Sequence, residues 1–254
     1  MIENARNILV VTGAGVSASS GISTWRAGKD AIWSKDVMEK GTTRYFKQDP
    51  VGAWTWYLEK FGMVANLKPN KAHEALVKME MDTLDNRGEF LLVTQNVDHL
   101  HKKAGNKNVV EVHGKTSHVR CPHYWCDRGG RSGSIAVEEI QHQLDRFKET
   151  KSEEDLPTCP KCGAIVRAHA LWFDESYHSH DDYQVELVSL IADTCDLILF
   201  VGTSFSVGIT EYIYSRGRLR GVPMISIDPN PVERAGLEYI REDAEKALPK
   251  MVGL

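Results

Sequence analysis

The sequence predicts an α/β fold in which a doubly wound parallel sheet carries helices on both faces and is interrupted by a helical insertion and a small zinc-binding insertion. Three observations support this prediction. Short apolar runs end in polar or glycine-containing residues, segments with helical spacing lie between them, and four cysteines form two pairs in a stretch that lacks this alternation. Continuous apolar runs are typical of parallel strands, which are buried on both faces.

The first apolar run, Ile8–Val11, leads directly into glycines and predicts the opening strand. Four further runs predict buried parallel strands at Phe90–Thr94, Val109–Val112, Leu197–Val201 and Val222–Ile227. Amphipathic or helix-favouring segments predict helices at His73–Met81, Gln184–Ala192 and Asp243–Leu248. We expect Asp243 to cap the last helix and Pro249 to lie near its end.

The composition is that of an ordinary globular protein, with 254 residues, 42% hydrophobic and 26% charged. A net charge of −4 gives no electrostatic reason to expect nucleic acid as a partner. No apolar run reaches the roughly 18 residues of a membrane span, so no membrane partner is expected. The first strand begins too early to leave room for a signal sequence, which predicts a cytoplasmic location and leaves the nucleus and the mitochondrion open.

A glycine turn follows the first predicted strand. Gly13, Gly15 and Ala18 match the pattern G-x-G-x-x-[GA], in which glycine lets the backbone approach a pyrophosphate and a helix start supplies N–H donors. This pattern is weak when it stands alone, and a tight strand-to-helix turn that binds nothing remains the alternative. It predicts a dinucleotide site on a Rossmann-like sheet.

Polar side chains follow the other predicted strands, and ligands of doubly wound sheets bind at the carboxyl ends of the strands. Gln95, Asn96 and Asp98 follow the second strand, and His113 follows the third. A histidine at a strand end is more often structural, but an imidazole beside a bound ribose can act as a general base. The remaining strands end in Gly202-Thr203-Ser204 and in Asp228.

Four of the five cysteines form two close pairs, Cys121 with Cys126 and Cys159 with Cys162. Four thiolates suit one tetrahedral zinc ion and leave no open coordination position, so we expect this zinc to be structural. Disulfides or free thiols are the alternative, and the lack of a secretory signal disfavours disulfides.

These features predict three regions. Residues 1–36, 86–116 and 168–254 are expected to form the Rossmann-like domain, residues 37–85 the helical insertion, and residues 117–167 the zinc-binding insertion. The sequence gives no expectation for the oligomeric state.

The motifs together resemble the sirtuin family, in order and across nearly the whole chain. The resemblance implies an NAD-dependent protein-lysine deacylase of the transferase class, which cleaves NAD to nicotinamide and transfers the acyl group to ADP-ribose. Its implied partners are acylated lysine side chains of proteins or peptides. The motifs are GAGVSASSGISTWR, TQNVDHLH, EVHG, the two cysteine pairs, LWFDE, GTS and EDAEKALP.

The resemblance also implies roles for individual residues. His113 corresponds to the catalytic base and acts with Asn96, while Leu171–Glu175 corresponds to an extended edge that pairs with a substrate peptide. Phe173 and Val207 would lie at the acyl-lysine substrate. The implied NAD-binding residues are Gly13, Ala14, Gly15, Ser17, Trp25, Arg26, Gln95, Asn96, Asp98, Gly202, Thr203, Ser204, Asp228 and Ala244.

The chain departs from the family pattern at several places. Ser23 replaces a proline, Trp25 a phenylalanine and Asp174 a glycine, and the first cysteine pair is wider than the usual C-x-x-C. The catalytic set is intact despite these departures.

The acyl preference is suggested by Tyr57 and Lys60, which form Tyr-x-x-Lys where sirtuins that remove acidic acyl groups carry Tyr-x-x-Arg. A lysine neutralises a carboxylate but does not bind it in a bidentate manner. The equally plain alternative is an exposed lysine on an aromatic helix. We therefore expect acetyl to be favoured, with succinyl open.

Three other functions are compatible with parts of the sequence. An NAD glycohydrolase or ADP-ribosyltransferase could use the same pocket, although the zinc module and LWFDE favour a peptide substrate. A dehydrogenase would need an acidic residue about 20 residues beyond the glycine turn, at the end of a second strand, and none is evident. A non-enzymatic zinc module would leave the polar strand ends unexplained.

Overall fold

The computed structural model describes residues 5–22, 35–62 and 64–254. In chain order the strands are β1 (Asn7–Thr12), β2 (Glu89–Thr94), β3 (Val109–Glu111), β4 (Gly114–Arg120), β5 (Ile135–Ala136), β6 (Arg167–Ala170), β7 (Leu197–Val201), β8 (Met224–Ile227) and β9 (Glu238–Ile240). The α-helices are α1 (Lys35–Lys40), α2 (Thr43–Gln48), α3 (Pro50–Phe61), α4 (Lys71–Asp85), α5 (Leu100–Ala104), α6 (Gln141–Thr150), α7 (Val185–Thr194), α8 (Gly208–Arg220) and α9 (Ala244–Val252).

The described strands include a parallel sheet in the order β3-β2-β1-β7-β8-β9. The chain first builds outward from β1 to β3 and then outward on the other side from β7 to β9, so the order reverses between β1 and β7. This arrangement confirms the predicted doubly wound sheet. The five predicted strands are present, whereas β9 was not predicted.

The register of this sheet aligns the carboxyl ends of its central strands. Thr12 of β1 lies opposite Thr94 of β2 and Val201 of β7, and Val201 lies opposite Ile227 of β8. The next residue of each strand therefore leaves the sheet at the same edge. These residues are Gly13, Gln95, Gly202 and Asp228.

The described residues divide into two compact units. The first comprises residues 5–22, 67–112 and 185–254, and the second comprises 35–62, 64–66 and 113–184. These boundaries differ from the predicted ones. Residues 35–36, 113–116 and 168–184 group with the second unit rather than with the Rossmann-like domain, and residues 67–85 group with the parallel sheet rather than with a helical insertion. The reason is that Ala72, Leu76 and Met79 of α4 are buried in the core formed with β1, β2 and α9.

The second unit contains an antiparallel sheet in the order β5-β4-β6, together with α1, α2, α3 and α6. Its core joins α3 and α6 to the cysteine pairs, since Trp54 and Phe147 pack in the same buried cluster as the thiols. Trp54 Nε1 also donates a 2.8 Å hydrogen bond to the Val166 carbonyl oxygen. The cysteine module and the aromatic helix thus share one core.

Local structure differs from the sequence prediction at two helices. Ala14–Ser20 forms a 3-10 helix rather than an α-helix. Helix α9 continues through Pro249 to Val252, because only one N–H is lost there while Leu248 remains fully buried. Asp243 occupies the N-cap position without a side-chain cap bond, and its carboxylate accepts from Lys246 Nζ instead. In the part of the chain that is described, none of the helices is long and apolar enough to cross a bilayer.

The contact between the two glycine turns predicts an unusually sensitive position. Gly202 has φ +58, and a Cβ there would lie 2.5 Å from Gly15 Cα, whereas Gly221 has φ +68 and open space around the same position. We expect Gly221→Ala to lower the free energy of unfolding by about 1 kcal/mol, because alanine disfavours the left-handed backbone. Gly202→Ala should lower it by about 2 kcal/mol more, because the two turns must also move apart. Urea unfolding of both variants measures this difference, and equal losses would contradict it.

Candidate functional site

The glycine turn after β1 lies directly against the turn after β7. Gly13 N donates to Val201 O and Gly15 N donates to Gly202 O, each at 3.0 Å. A Cβ on Gly13 would lie 2.8 Å from Gly202 O, and one on Gly15 would lie 2.6 Å from Gly202 Cα. Real Cβ atoms do not approach other atoms this closely, so all three positions require glycine. The predicted residues Gly13, Gly15 and Gly202 are thus brought together.

The polar residues after β2 bind to these turns. Gln95 Nε2 donates to Thr203 Oγ1 at 3.0 Å, which links the ends of β2 and β7. Asn96 Nδ2 donates to Gly13 O and to Ser17 Oγ, both at 3.1 Å. Hydrogen bonds therefore fix the side chains of Gln95 and Asn96 against the two glycine turns.

Ser17 is the centre of a buried hydrogen-bond network in the first unit. Its hydroxyl donates to Asp98 Oδ2 at 2.8 Å, and Leu100 N donates to Asp98 Oδ1 at 2.9 Å. Burial raises the pKa of Asp98, and these two hydrogen bonds only partly offset the effect. The carboxyl group of Asp98 is consequently fixed in orientation.

The start of helix α4 contacts the 3-10 helix Ala14–Ser20 through two residues that the sequence analysis did not identify as site residues. Asn70 Nδ2 donates to Val16 O at 2.9 Å and to Ser20 Oγ at 3.1 Å. His73 Nε2 lies 3.4 Å from Ser17 Oγ, and burial lowers its pKa to about 4, so this imidazole is neutral near pH 7. A signal for this role was available, since Asn at the N-cap position followed three residues later by a polar side chain is a capping pattern.

Four other predicted residues of the first unit occupy separate positions at the ends of its elements. The Asp228 carboxylate is buried and accepts from Asn230 N at 2.8 Å. Ser204 Oγ lies 2.8 Å from Ser206 Oγ, and Val207 is the N-cap residue of α8. Ala244 begins α9 and packs in the core.

His113 begins the second unit, where its backbone is tied to the end of β6. Leu171 N donates to His113 O at 2.9 Å. Its side chain is half-buried, and Nε2 lies 3.2 Å from the hydroxyl oxygen of Tyr177. Tyr177 belongs to no motif that the sequence analysis identified.

The predicted extended edge over Leu171–Glu175 is wrong beyond Trp172, because the chain turns at Phe173 and Asp174. Phe173 N donates to Gly41 O at 3.0 Å. The Asp174 carboxylate accepts from Thr43 N at 2.8 Å, from Thr43 Oγ1 at 2.6 Å and from a neighbouring N–H. These contacts hold the turn against the start of α2.

Arg167 and Glu175 close this loop with two parallel 2.8 Å hydrogen bonds. Burial raises the pKa of Glu175, but the hydrogen bonds and charge of Arg167 outweigh it, and the pKa lies below its ordinary value. Glu175 Oε2 also accepts from Trp172 N at 3.1 Å.

Tyr57 packs on α3 between Trp54 and Phe61, with ring centroids 5.7 and 5.1 Å away, and burial raises its pKa. Lys60 lies one turn further along the same helix and is half-buried. Trp25 and Arg26, together with Ser23, lie outside the described residues.

The sulfur atoms of the two cysteine pairs converge. Cys121 Sγ lies 3.4 Å from Cys162 Sγ, and Cys126 Sγ lies 3.9 Å from Cys159 Sγ. All four lie within 4.8 Å of one another. His123 Nδ1 is 3.7 Å from Cys162 Sγ and stands outside this set of four.

Known proteins match this architecture over nearly its whole length. The profile of the Sir2 family matches residues 13–208. The NAD-dependent protein deacylase of Pyrococcus furiosus is 35% identical over 247 residues, which cover 96% of this chain and 91% of the relative. The chain belongs to the Sir2 family. This confirms the resemblance to the sirtuins.

Two solved structures of the family are also similar to this Sir2-family chain. A Sir2 homologue in complex with NAD is 31% identical, with a TM-score of 0.79, over 99% of this chain and 90% of the other. A mutant Sir2 homologue in complex with 2'-O-acetyl ADP ribose is 31% identical, with a TM-score of 0.78, over 100% of this chain and 93% of the other.

The residues of this Sir2-family chain fit both groups that the family implies. The two sulfur–sulfur distances of 3.4 and 3.9 Å suit zinc, whose tetrahedral Zn–S bonds of about 2.3 Å place sulfurs roughly 3.8 Å apart. The two glycine turns pack backbone against backbone at the carboxyl edge of the sheet, where doubly wound sheets bind dinucleotides. Gln95, Asp98 and Asp228 offer amide and carboxyl groups at the same edge, which are suitable hydrogen-bonding partners for ribose hydroxyls and for an amide.

The cysteine cluster predicts one zinc ion per chain. We expect Cys159→Ser to lose the metal, because three thiolates and a hydroxyl make a much weaker site. Cys195→Ser is the matched control, since Cys195 is buried in the first unit and lies outside the cluster. Metal analysis after dialysis measures both, and full zinc occupancy in Cys159→Ser would contradict the assignment.

The Arg167–Glu175 pair predicts a pH-dependent stability. Because the folded pKa of Glu175 is lowered, its contribution is complete well above pH 4.5 and is lost as the pH falls through the folded pKa. We expect Glu175→Gln to lower the free energy of unfolding by about 2–3 kcal/mol at pH 7, because a buried guanidinium loses its charged partner. The difference in free energy of unfolding between the variant and wild type should become smaller as the pH falls.

Glu139→Gln is the matched control for this experiment. Arg128 and Glu139 form the same bidentate pair with side chains 41% and 37% exposed, whereas Arg167 and Glu175 are 8% and 12% exposed. Exposed pairs contribute about 0–1 kcal/mol. Urea unfolding at pH 7 and pH 4 compares the variants, and equal effects at pH 7 would contradict the role of burial.

Proposed function

We propose that this chain is an NAD-dependent protein-lysine deacylase, which cleaves NAD to nicotinamide and transfers the acyl group from lysine to ADP-ribose. The observation that carries this proposal is the junction of two side-chain-free glycine turns with Gln95, Asn96 and Asp98 at one edge of the sheet, in a Sir2-family chain. The relatives named above act as deacylases or bind NAD and acetyl ADP ribose.

The bound NAD would supply a ribose with nicotinamide as its leaving group. Asp98, whose carboxyl group is held by Ser17 and Leu100, is proposed to bind the nicotinamide amide. Gln95 and Asn96 are proposed to hold the ribose and a water. Because both side chains are tethered to the glycine turns, they are pre-organised for this task.

His113 is proposed to act as the general base that takes a proton from a ribose hydroxyl during acyl transfer. An imidazole suits this role because it changes protonation near neutral pH. Ser204, Asp228 and Ala244 are proposed to contact the rest of the NAD molecule, as are Trp25 and Arg26. The zinc ion would stabilise the second unit without taking part in the chemistry.

The substrate is proposed to be an acylated lysine in a protein or peptide, flanked by Phe173 and Val207. Phe173 is 42% exposed, which suits a residue that contacts a peptide. The Asp174 carboxylate, by contrast, accepts hydrogen bonds from Thr43 N and Thr43 Oγ1, so it is used within the protein. We propose acetyl as the preferred acyl group, since the phenol of Tyr57 is buried among aromatic rings and Lys60 provides only a point charge.

A cytoplasmic setting is also proposed. Its support is that the four clustered cysteines suit zinc thiolates, which need a reducing compartment.

An assay with NAD and acetyl-, succinyl- and long-acyl-lysine peptides tests the function. We expect equal amounts of nicotinamide and deacylated peptide, with the acetyl peptide turned over fastest. His113→Ala should lower kcat/KM for deacylation by at least about 100-fold, since general bases contribute that much or more. His142→Ala, an exposed histidine on α6, should leave it unchanged.

Each alternative has its own signature in this assay. Nicotinamide release without loss of the peptide acyl group would favour a glycohydrolase or ADP-ribosyltransferase over the deacylase. Equal activity of His113→Ala and wild type would refute the assignment of the base.

A further inference from the structure

We propose that Tyr177 is a positioning residue for His113, with its hydroxyl accepting a hydrogen bond from Nε2 and stabilising the protonated imidazole. The proposal rests on the proposed function, in which His113 is the general base. Tyr177 Oη lies 3.2 Å from His113 Nε2, and the two rings are 5.9 Å apart at an interplanar angle of 25°. The contact therefore has hydrogen-bonding distance and a nearly parallel ring arrangement.

The backbone of His113 is fixed relative to the strand that leads toward Tyr177. Leu171 N donates to His113 O at 2.9 Å, and Gly114 pairs with Ala170. Gly114 has φ +84, and a Cβ there would lie 2.1 Å from His169 O. This close approach holds the start of β4 against the end of β6.

The loop from β6 to Tyr177 is closed by Glu175, two residues before the tyrosine. Its carboxylate binds Arg167 through two 2.8 Å hydrogen bonds and accepts from Trp172 N at 3.1 Å. The Arg167 guanidinium in turn stacks 4.1 Å above the Trp172 ring. The backbone just before Tyr177 is therefore held in place at Glu175.

The chain is anchored again directly after Tyr177. Ser176 Oγ accepts from His178 N at 3.3 Å and begins a 3-10 turn over Tyr177–Ser179. Arg120 donates to Ser179 O at 3.4 Å. Because both flanks are held, the fold itself sets the position of the Tyr177 hydroxyl.

A cluster of two buried histidines, His169 and His180, with the partly exposed Asp182 lies in the same segment. It has the residue types of a metal site, but its groups already bind one another. His180 Nδ1 accepts from Asp182 N at 3.1 Å, and His180 Nε2 donates to Gly133 O at 3.2 Å, so no lone pair of that ring remains for a metal. The Asp182 carboxylate binds Lys115 at 2.9 Å and His169 at 3.1 Å.

The chemical role follows from what a phenol can do for an imidazole. With Nε2–H donating to the Tyr177 oxygen, the neutral ring has its free lone pair on Nδ1, so the proton from the ribose hydroxyl goes to Nδ1 and both ring nitrogens then carry hydrogen. A hydrogen bond from a charged donor is about twice as strong as a neutral one, so Tyr177 favours the protonated state. The charged groups on these elements are paired with each other, Lys115 with Asp182 and Arg167 with Glu175.

Tyr177→Phe removes the hydroxyl and keeps the ring. We expect kcat for deacylation to fall about 3- to 10-fold, the effect of one hydrogen bond, and the acidic limb of the pH profile to move about half a unit toward lower pH. Exchange of labelled nicotinamide into NAD, which precedes the base-dependent step, and KM for NAD should change less than about twofold. Tyr124→Phe, at a residue 81% exposed, is the matched control.

An equal loss of exchange and deacylation would overturn the positioning role, because it would indicate general disruption. An unchanged pH profile or a shift toward higher pH would overturn it as well. Titration of the His113 ring by NMR, in wild type and Tyr177→Phe, tests the contact without turnover. We expect the titration midpoint to fall in the variant, and an unchanged midpoint counts against Tyr177. Wild type that releases nicotinamide without deacylating the peptide counts instead against the proposed function.

Discussion

The backbone contact between the turns at Gly13–Gly15 and Gly202 is the constraint on which the first unit depends. Their Cα and carbonyl atoms approach so closely that no side chain fits at any of the three positions. The same contact joins β1 to β7, where the order of the sheet reverses. Since ligands of doubly wound sheets bind at this reversal, the requirement for glycine and the location of the site have one cause.

The polar side chains that follow β2 are arranged around that contact. Asn96 donates hydrogen bonds to Gly13 O and Ser17 Oγ, and Gln95 donates one to Thr203 Oγ1. The Ser17 hydroxyl in turn donates to the Asp98 carboxylate. Helix α4 closes the network from outside through Asn70. Because these hydrogen bonds fix the orientation of the side chains, little reorganisation of them is needed when a dinucleotide binds.

The sequence was sufficient for features that depend on local patterns. The apolar runs predicted five of the six strands of the described parallel sheet, because strands buried on both faces carry no polar alternation. The cysteine spacing predicted the cluster of four thiols. The prediction from sequence missed β9, a three-residue edge strand, Glu238–Ile240, that is only partly buried. It also assigned residues 37–85 to an insertion, although Lys71–Asp85 packs in the core of the parallel sheet. An amphipathic helix does not indicate in the sequence which core its apolar face will join.

Asp174 and Tyr177 show why the rest of the site could not be predicted from the sequence: their contacts join residues that are far apart along the chain. In the sequence, Asp174 is only a departure from a family glycine, yet its carboxylate holds the start of α2 through Thr43, more than a hundred residues away. Tyr177 carries no motif, yet its hydroxyl meets His113 because Glu175 and Arg120 fix the chain on either side of it. A substitution beside a motif therefore changes function through the contacts it makes across the fold.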